Sequence, residues 1–217
     1  MNVDDYLNNL PLLHTWDYGV TWNSGGFEKY HLEPLYSFLK KNLDKKSIIL
    51  ETGAGNSTIL FLLLKIEKVI TICPEIELFQ RIHEFCDKNA ISFENHEFIV
   101  NGSEWALPKM VSSVNVRPSI DFALIDGWHN WPIVMIDFFY INFILKKNGF
   151  LMIDDLNIHS IKEMAKFINE EDSFELVLDL GKAAIFKKVK DVQFFGEWHE
   201  TPYIKKMTHK TDNPYSF

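Results

Sequence analysis

Cysteine is scarce in this chain: 217 residues carry two, Cys73 and Cys86. One stands in an apolar strand-like run and the other in a helix-like run, outside any zinc-type spacing. Both read as buried thiols of a cytoplasmic protein. Long hydrophobic runs are absent too, with no stretch of roughly 18 apolar residues, so no membrane-spanning helix is implied. The opening residues, Met1-Asn2-Val3-Asp4-Asp5, lack the basic and apolar regions of a secretion signal. Positive charge is in deficit: 22 Lys and Arg against 30 Asp and Glu leave a net charge of −8. A nucleic-acid surface needs a basic patch, so that class of partner is disfavoured. There is no internal repeat and no low-complexity linker. What is present is globular: 47% apolar and 24% charged residues, over a length sufficient for one full core.

The most informative stretch is Ile48-Ile49-Leu50-Glu51-Thr52-Gly53-Ala54-Gly55-Asn56-Ser57-Thr58. An apolar strand ends in a carboxylate, and a glycine turn leads into a second apolar run, Ile59 to Leu64. That is a strand, a loop and a helix start. Gly53 and Gly55 allow unusual backbone angles and the close approach of a ligand. The N–H groups of the helix start face the same ligand. The stretch therefore reads as a nucleotide-type cofactor loop at the carboxyl end of a first strand. It is not the dinucleotide fingerprint, because Thr58 stands where a third glycine or alanine is required. No Gly-Lys-Ser/Thr follows, so it is not a phosphate loop.

Along the rest of the chain, strands alternate with helices. Residues 1–27 hold Tyr6, Trp16, Tyr18, Trp22 and Ser24-Gly25-Gly26. They read as an irregular segment packed on the core, with a lid over a substrate pocket as the alternative. Phe27 to Leu43 has helical spacing, with Leu32, Leu35, Tyr36, Leu39 and Leu43 on one side. Val69 to Cys73 is a second strand, and Ile76 to Asn89 an amphipathic helix. Phe93 to Val100 holds a third strand, and Asp121 to Asp126 a fourth. Trp131 to Leu145 is a helix closed by Lys146-Lys147-Asn148-Gly149. Phe150 to Ile153 is a fifth strand, and Ile158 to Asn169 a further helix. Phe174 to Leu180 and Ala183 to Val189 form a closing hairpin around Gly181-Lys182. This order predicts a doubly wound, mostly parallel α/β sheet with helices on both faces and an antiparallel edge hairpin. A single domain over 1–217 is expected: an N-terminal segment 1–45, a core 46–189 and a tail 190–217.

In such sheets ligands sit beyond the carboxyl ends of the strands. After the second strand stand Pro74 and Glu75, the latter 24 residues beyond Glu51. That is close to the spacing at which an acid accepts from ribose hydroxyls. A helix-end carboxylate is the plainer reading of Glu75. After the third strand stands Asn101-Gly102-Ser103-Glu104-Trp105, a serine-led turn that also reads as an N-cap. After the fourth stands Asp126-Gly127-Trp128-His129, and after the fifth Asp154-Asp155. These carboxylates converge and would repel one another. A divalent cation, a cationic ligand or a basic partner would relieve that. Asp126 also reads as a loop-fixing residue, Asp155 as a helix cap and His129 as structural.

The loop in the form E-x-G-x-G-x-S-T resembles the first motif of class I S-adenosylmethionine-dependent methyltransferases. Thr71 to Glu75 with Arg81-Ile82, Gly102-Ser103 leading to Leu107-Pro108, Ile125 to His129, and Ile153 to Asp155 fall in register with it over about residues 48–188. Together they resemble a bacterial branch related to the catechol O-methyltransferase-like enzymes. The resemblance implies a Rossmann-like sheet of seven strands and S-adenosylmethionine as cofactor. It implies cofactor contacts at Glu51, Thr52, Gly53, Ala54, Gly55, Asn56, Ser57, Pro74, Glu75, Gly102, Ser103, Glu104, Trp105 and Asp126. The acceptor would be a small molecule, most readily an oxygen. The resemblance further implies Mg²⁺ on Asp126, Asp154 and Asp155, with His129 as base where those relatives carry lysine. Histidine suits that task near neutral pH. Two other readings remain: a nicotinamide-dependent oxidoreductase, and a non-catalytic protein that keeps the fold for cofactor sensing. Oligomeric state is left open.

Overall fold

The computed structural model describes residues 1–112, 118–191 and 197–208. Helix α1 (Val3–Asn8) opens on Asn2, whose side chain accepts the Asp5 N–H at 2.8 Å. This helix lies where the sequence suggested only irregular structure. Six residues give too little periodicity to read, and Tyr6 is held by a distant partner described below. Helix α2 (Lys29–Asn42) buries Leu32, Leu35 and Leu39, the stripe expected of it.

The alternating unit follows: β1 (Ile48–Thr52), α3 (Asn56–Leu63), β2 (Lys68–Ile72), α4 (Ile76–Lys88), β3 (His96–Ile99), α5 (Ser103–Val111), β4 (Ile120–Ile125), α6 (Ile133–Ile144), β5 (Leu145–Ile153), α7 (His159–Glu170), β6 (Phe174–Asp179) and β7 (Ala184–Lys188). A 3-10 turn (Trp198–Glu200) and α8 (Pro202–Thr208) close the described chain. Much of the expected tail, 192–196 and 209–217, lies outside the described residues.

The seven strands run in the order β3-β2-β1-β4-β5-β7-β6. Neighbours are parallel from β3 to β5, and β7 and β6 add antiparallel partners at that edge. Alternate residues feed opposite faces. Ile49, Phe122 and Met152 join one apolar cluster with α2, α3 and α4. Leu50, Ala123 and Leu151 join another with α6 and α7. The chain leaves β1 toward β2 on one side and returns to β4 on the other. The crevice between their carboxyl ends is the switch point where such sheets take ligands.

Two local readings change. Lys146, Lys147, Asn148 and Gly149 do not cap α6; they lie within β5, which starts at Leu145 opposite Ile120. Lys146 Nζ is spent on the Asp121 carboxylate at 2.8 and 2.9 Å. A Cβ at Gly149 would lie 3.0 Å from the Asp121 carbonyl oxygen, so close strand approach is the reason for that glycine. The third strand is also shorter than expected, because the His96 N–H turns back to the Phe93 carbonyl at 3.0 Å. Among the described residues no helix is long and apolar enough to cross a membrane.

Candidate active site

Hydrogen bonds continue one residue past the strand ends. Gly53 N–H donates to Ile72, Cys73 to Ile99, Asp126 to Thr52 and Asp154 to Ile125, at 2.9–3.2 Å. Gly53, Cys73, Asp126 and Asp154 are thus drawn into one row along the edge of the sheet.

Gly53 has φ +87°, and a Cβ there would lie 2.2 Å from the Asp126 carbonyl oxygen. Gly55 has extended backbone, and its Cβ would lie 2.8 Å from His14 Nε2. Both glycines were expected to serve ligand approach, and the structure adds a second demand on them. Each makes room first for this chain's own atoms, the end of β4 and the His14 ring. Gly53 and Ala54 are the half-exposed members of the loop.

The remaining loop residues are turned inward. Glu51 is fully buried and accepts from Ser57 Oγ and Thr71 Oγ1, both at 2.8 Å. Burial pushes its carboxyl up to about 7, against the pull of the Thr58, Thr71 and Ser57 hydroxyls. Thr58 Oγ1 accepts the Gly55 N–H at 3.0 Å. The residue that excludes the dinucleotide fingerprint therefore tightens the helix start. Asn56 is also buried. Its side chain donates to the carbonyls of Pro11 and Ser24 and, with its own carbonyl, accepts from the Tyr6 hydroxyl. Glu51, Asn56 and Ser57 hold the loop from beneath.

Residues 9–27 run over this loop as a strap. His14 and Asn23 exchange backbone hydrogen bonds at 3.1 and 2.8 Å. Arg81 Nε donates to the Leu13 carbonyl at 2.8 Å, and its guanidinium lies 5.1 Å from the Trp22 ring. Burial, with Arg81 nearby, lowers the pKa of His14. The segment packs on the core, as read, and the part of the core it packs on is the glycine loop after β1. No pattern in the sequence marked His14, apart from the glycines it sits against.

Pro74 and Glu75 are exposed after β2. Glu75 precedes α4, and its side chain makes no capping bond. After β3, Gly102 precedes α5, Ser103 is nearly buried and Trp105 is 65% exposed. The Glu104 carboxylate folds back to within 2.5 Å of where a Gly102 Cβ would stand. The Ser103 and Thr52 hydroxyls face Asp137 of α6, a fully buried acid that sequence reasoning missed. Burial pushes Asp137 up to about 6, and the two hydroxyls oppose that rise. An acid inside an apolar helix gives no sign of where it points.

The acids after β4 and β5 do converge, but not as the expected metal set. Asp126, His129 and Asp155 each bring one ligand atom within 4.8 Å of the others. His129 Nε2 lies 3.7 Å from Asp126 Oδ1 and 3.5 Å from Asp155 Oδ2. Asp154 is 2% exposed and turns to Lys182, whose Nζ is 2.7 Å from Asp154 Oδ2 and 3.3 Å from Asp155 Oδ1. In the expected Asp126-Asp154-Asp155 set a lysine sits against two members, and His129 stands between the third and Asp155. Burial raises Asp126 to about 7, with His129 pulling it back. The Asp126 carboxylate beside it raises His129 above the ordinary histidine range, against burial.

No family model and no curated protein matches the sequence. Solved structures do match. An rRNA methylase of Streptococcus thermophilus aligns over 72% of this chain and 95% of its own, at 22% identity and TM-score 0.54. A methyltransferase of Geobacter sulfurreducens aligns over 76% and 82%, at 14% identity and TM-score 0.60. The O-methyltransferase TomG of Streptomyces achromogenes, solved with S-adenosylmethionine, aligns over 76% and 82%, at 11% identity and TM-score 0.60. The fold is that of the class I S-adenosylmethionine-dependent methyltransferases, as the motifs suggested.

Proposed function

We propose that this chain transfers the methyl group of S-adenosylmethionine to a small-molecule acceptor, with oxygen as the receiving atom. One observation carries the reading. The half-exposed Gly53-Ala54 turn, the exposed Glu75 carboxylate and the Ser103-Glu104-Trp105 turn follow adjacent strands of a methyltransferase-type sheet.

The cofactor, when bound, supplies a methyl group on a sulfonium, open to in-line attack. Glu75 would hold the ribose hydroxyls. The Gly53-Ala54 backbone would line the methionine part, and Ser103, Glu104 and Trp105 would border the adenine. Aligning the acceptor and excluding water is the chain's main contribution to rate. His129 would take the acceptor proton, its ring held between Asp126 and Asp155. Its raised pKa makes it a stronger base whose free form dominates only at higher pH. Mg²⁺ has no part in this reading, because the Lys182 ammonium already faces Asp154 and Asp155. The net charge of −8 favours a small acceptor over a nucleic acid. Two buried free thiols favour a cytoplasmic setting. We place the whole activity in one domain over 1–217, with 1–45 packed against the loop.

Calorimetry with S-adenosylhomocysteine and, separately, with NAD⁺ tests the reading. One-site binding of the first without the second is expected. The reverse would transfer the chain to the oxidoreductases.

A further inference from the structure

Three carboxylates at one sheet edge need a counter-charge, and the hairpin delivers one. Strand β7 returns antiparallel to β5 with Ile153 opposite Ala184. Carrying that register two residues onward places Asp155 opposite Lys182. The turn then fixes the lysine backbone: Leu156 N–H donates to the Lys182 carbonyl at 2.7 Å, and Lys182 N–H to Leu180 at 3.1 Å. The side chain is hemmed in from the strap side as well. Its Nζ lies 4.9 Å from the Phe27 ring centre, and a Cβ at Gly26 would stand 3.5 Å from it.

The resulting order is alternating. Lys182 touches Asp154 and Asp155, His129 stands between Asp155 and Asp126, and each cationic group faces two acids. Lys182 takes Asp154 Oδ2 and Asp155 Oδ1, so a hard cation that wants several oxygen ligands and its own waters would have to share those two acids with an ammonium. Asp154 Oδ1 has no partner, but it is buried. A divalent ion on Asp155 would also stand beside the Lys182 ammonium, 3.3 Å from Asp155 Oδ1.

We propose that Lys182 is the resident cation of this site, filling the charge-compensating place that a divalent metal would otherwise take. The proposal deepens the methyltransferase reading and rests on it for the role of the site. Its test uses no cofactor, so the two can fail separately.

Mn²⁺ is titrated into the whole chain, with the free ion followed by its electron paramagnetic resonance signal. Wild type and Lys182→Arg should show no binding at micromolar concentrations. Lys182→Ala should bind Mn²⁺ at least tenfold more tightly than wild type, and Lys182→Ala with Asp155→Asn should lose that gain. Should Lys182→Ala fail to fold, Lys182→Met keeps the aliphatic stem against Phe27 and carries the same expectation. Micromolar Mn²⁺ binding by wild type that disappears in Asp155→Asn would overturn the proposal. A folded Lys182→Met that gains no affinity would overturn it equally.

Discussion

Glu51→Gln probes the buried acid that holds the glycine loop. In the folded chain burial raises Glu51 from 4.5 to about 7. Between those values the folded state keeps a proton that the unfolded state has released, so stability falls as pH rises through the window. The slope is ~1.4 kcal/mol per pH unit for one proton. From pH 5 to 7.5 that amounts to roughly 2.5 kcal/mol, the curve flattening above the folded pKa. Glutamine keeps the shape and cannot ionise. Its amide meets the Ser57 and Thr71 hydroxyls, which can rotate to accept, and any cost of that exchange is independent of pH. Asp126 at about 7 and Asp137 at about 6 act in the same direction in both proteins and largely cancel in the comparison. The assay is urea unfolding of both proteins across pH 5–7.5. The variant should gain about 2.5 kcal/mol on wild type over that range. A difference that stays constant with pH would show Glu51 already ionised in the fold and refute the reasoning.

Two further substitutions follow from the same geometry. Tyr6→Phe removes a buried hydroxyl that donates to the Asn56 carbonyl at 2.7 Å and to Asn56 Oδ1 at 2.9 Å, and should cost about 1–3 kcal/mol in urea unfolding. No change would mean that α1 is not anchored on the loop. Glu75→Ala should leave stability intact, because the side chain makes no capping bond, and should weaken S-adenosylhomocysteine by roughly 1.5–3 kcal/mol in calorimetry. Undiminished affinity would return Glu75 to helix-end electrostatics.

Strands β1, β2 and β4 were legible because each is a short β-branched or apolar run cut off by glycine, proline or an acid. Their order along the sheet followed from alternation with helices. The contents of the loop were less so. Glycine permits close approach, but the sequence does not say by what, and at Gly55 the neighbour is His14, 41 positions earlier. A substitution at Gly53 would therefore disturb the seam between β1 and β4 before it tested any ligand. The need for a counter-charge beside Asp154 and Asp155 was readable. Its source was not, because Lys182 reaches them through a pairing register that exists only once the hairpin is seated on β5. Helix α1 and Asp137 were invisible for a like reason: each is defined by partners distant in sequence.

One cofactor spanning the ends of β1, β2 and β3, as proposed, would be registered by amide hydrogen exchange with and without S-adenosylhomocysteine. Peptides covering 51–59, 74–77 and 102–106 should slow together on adding the ligand, while 42–48 and 146–150 at the opposite edge stay unchanged. Protection confined to the opposite edge, or no protection at saturating ligand, would contradict the site.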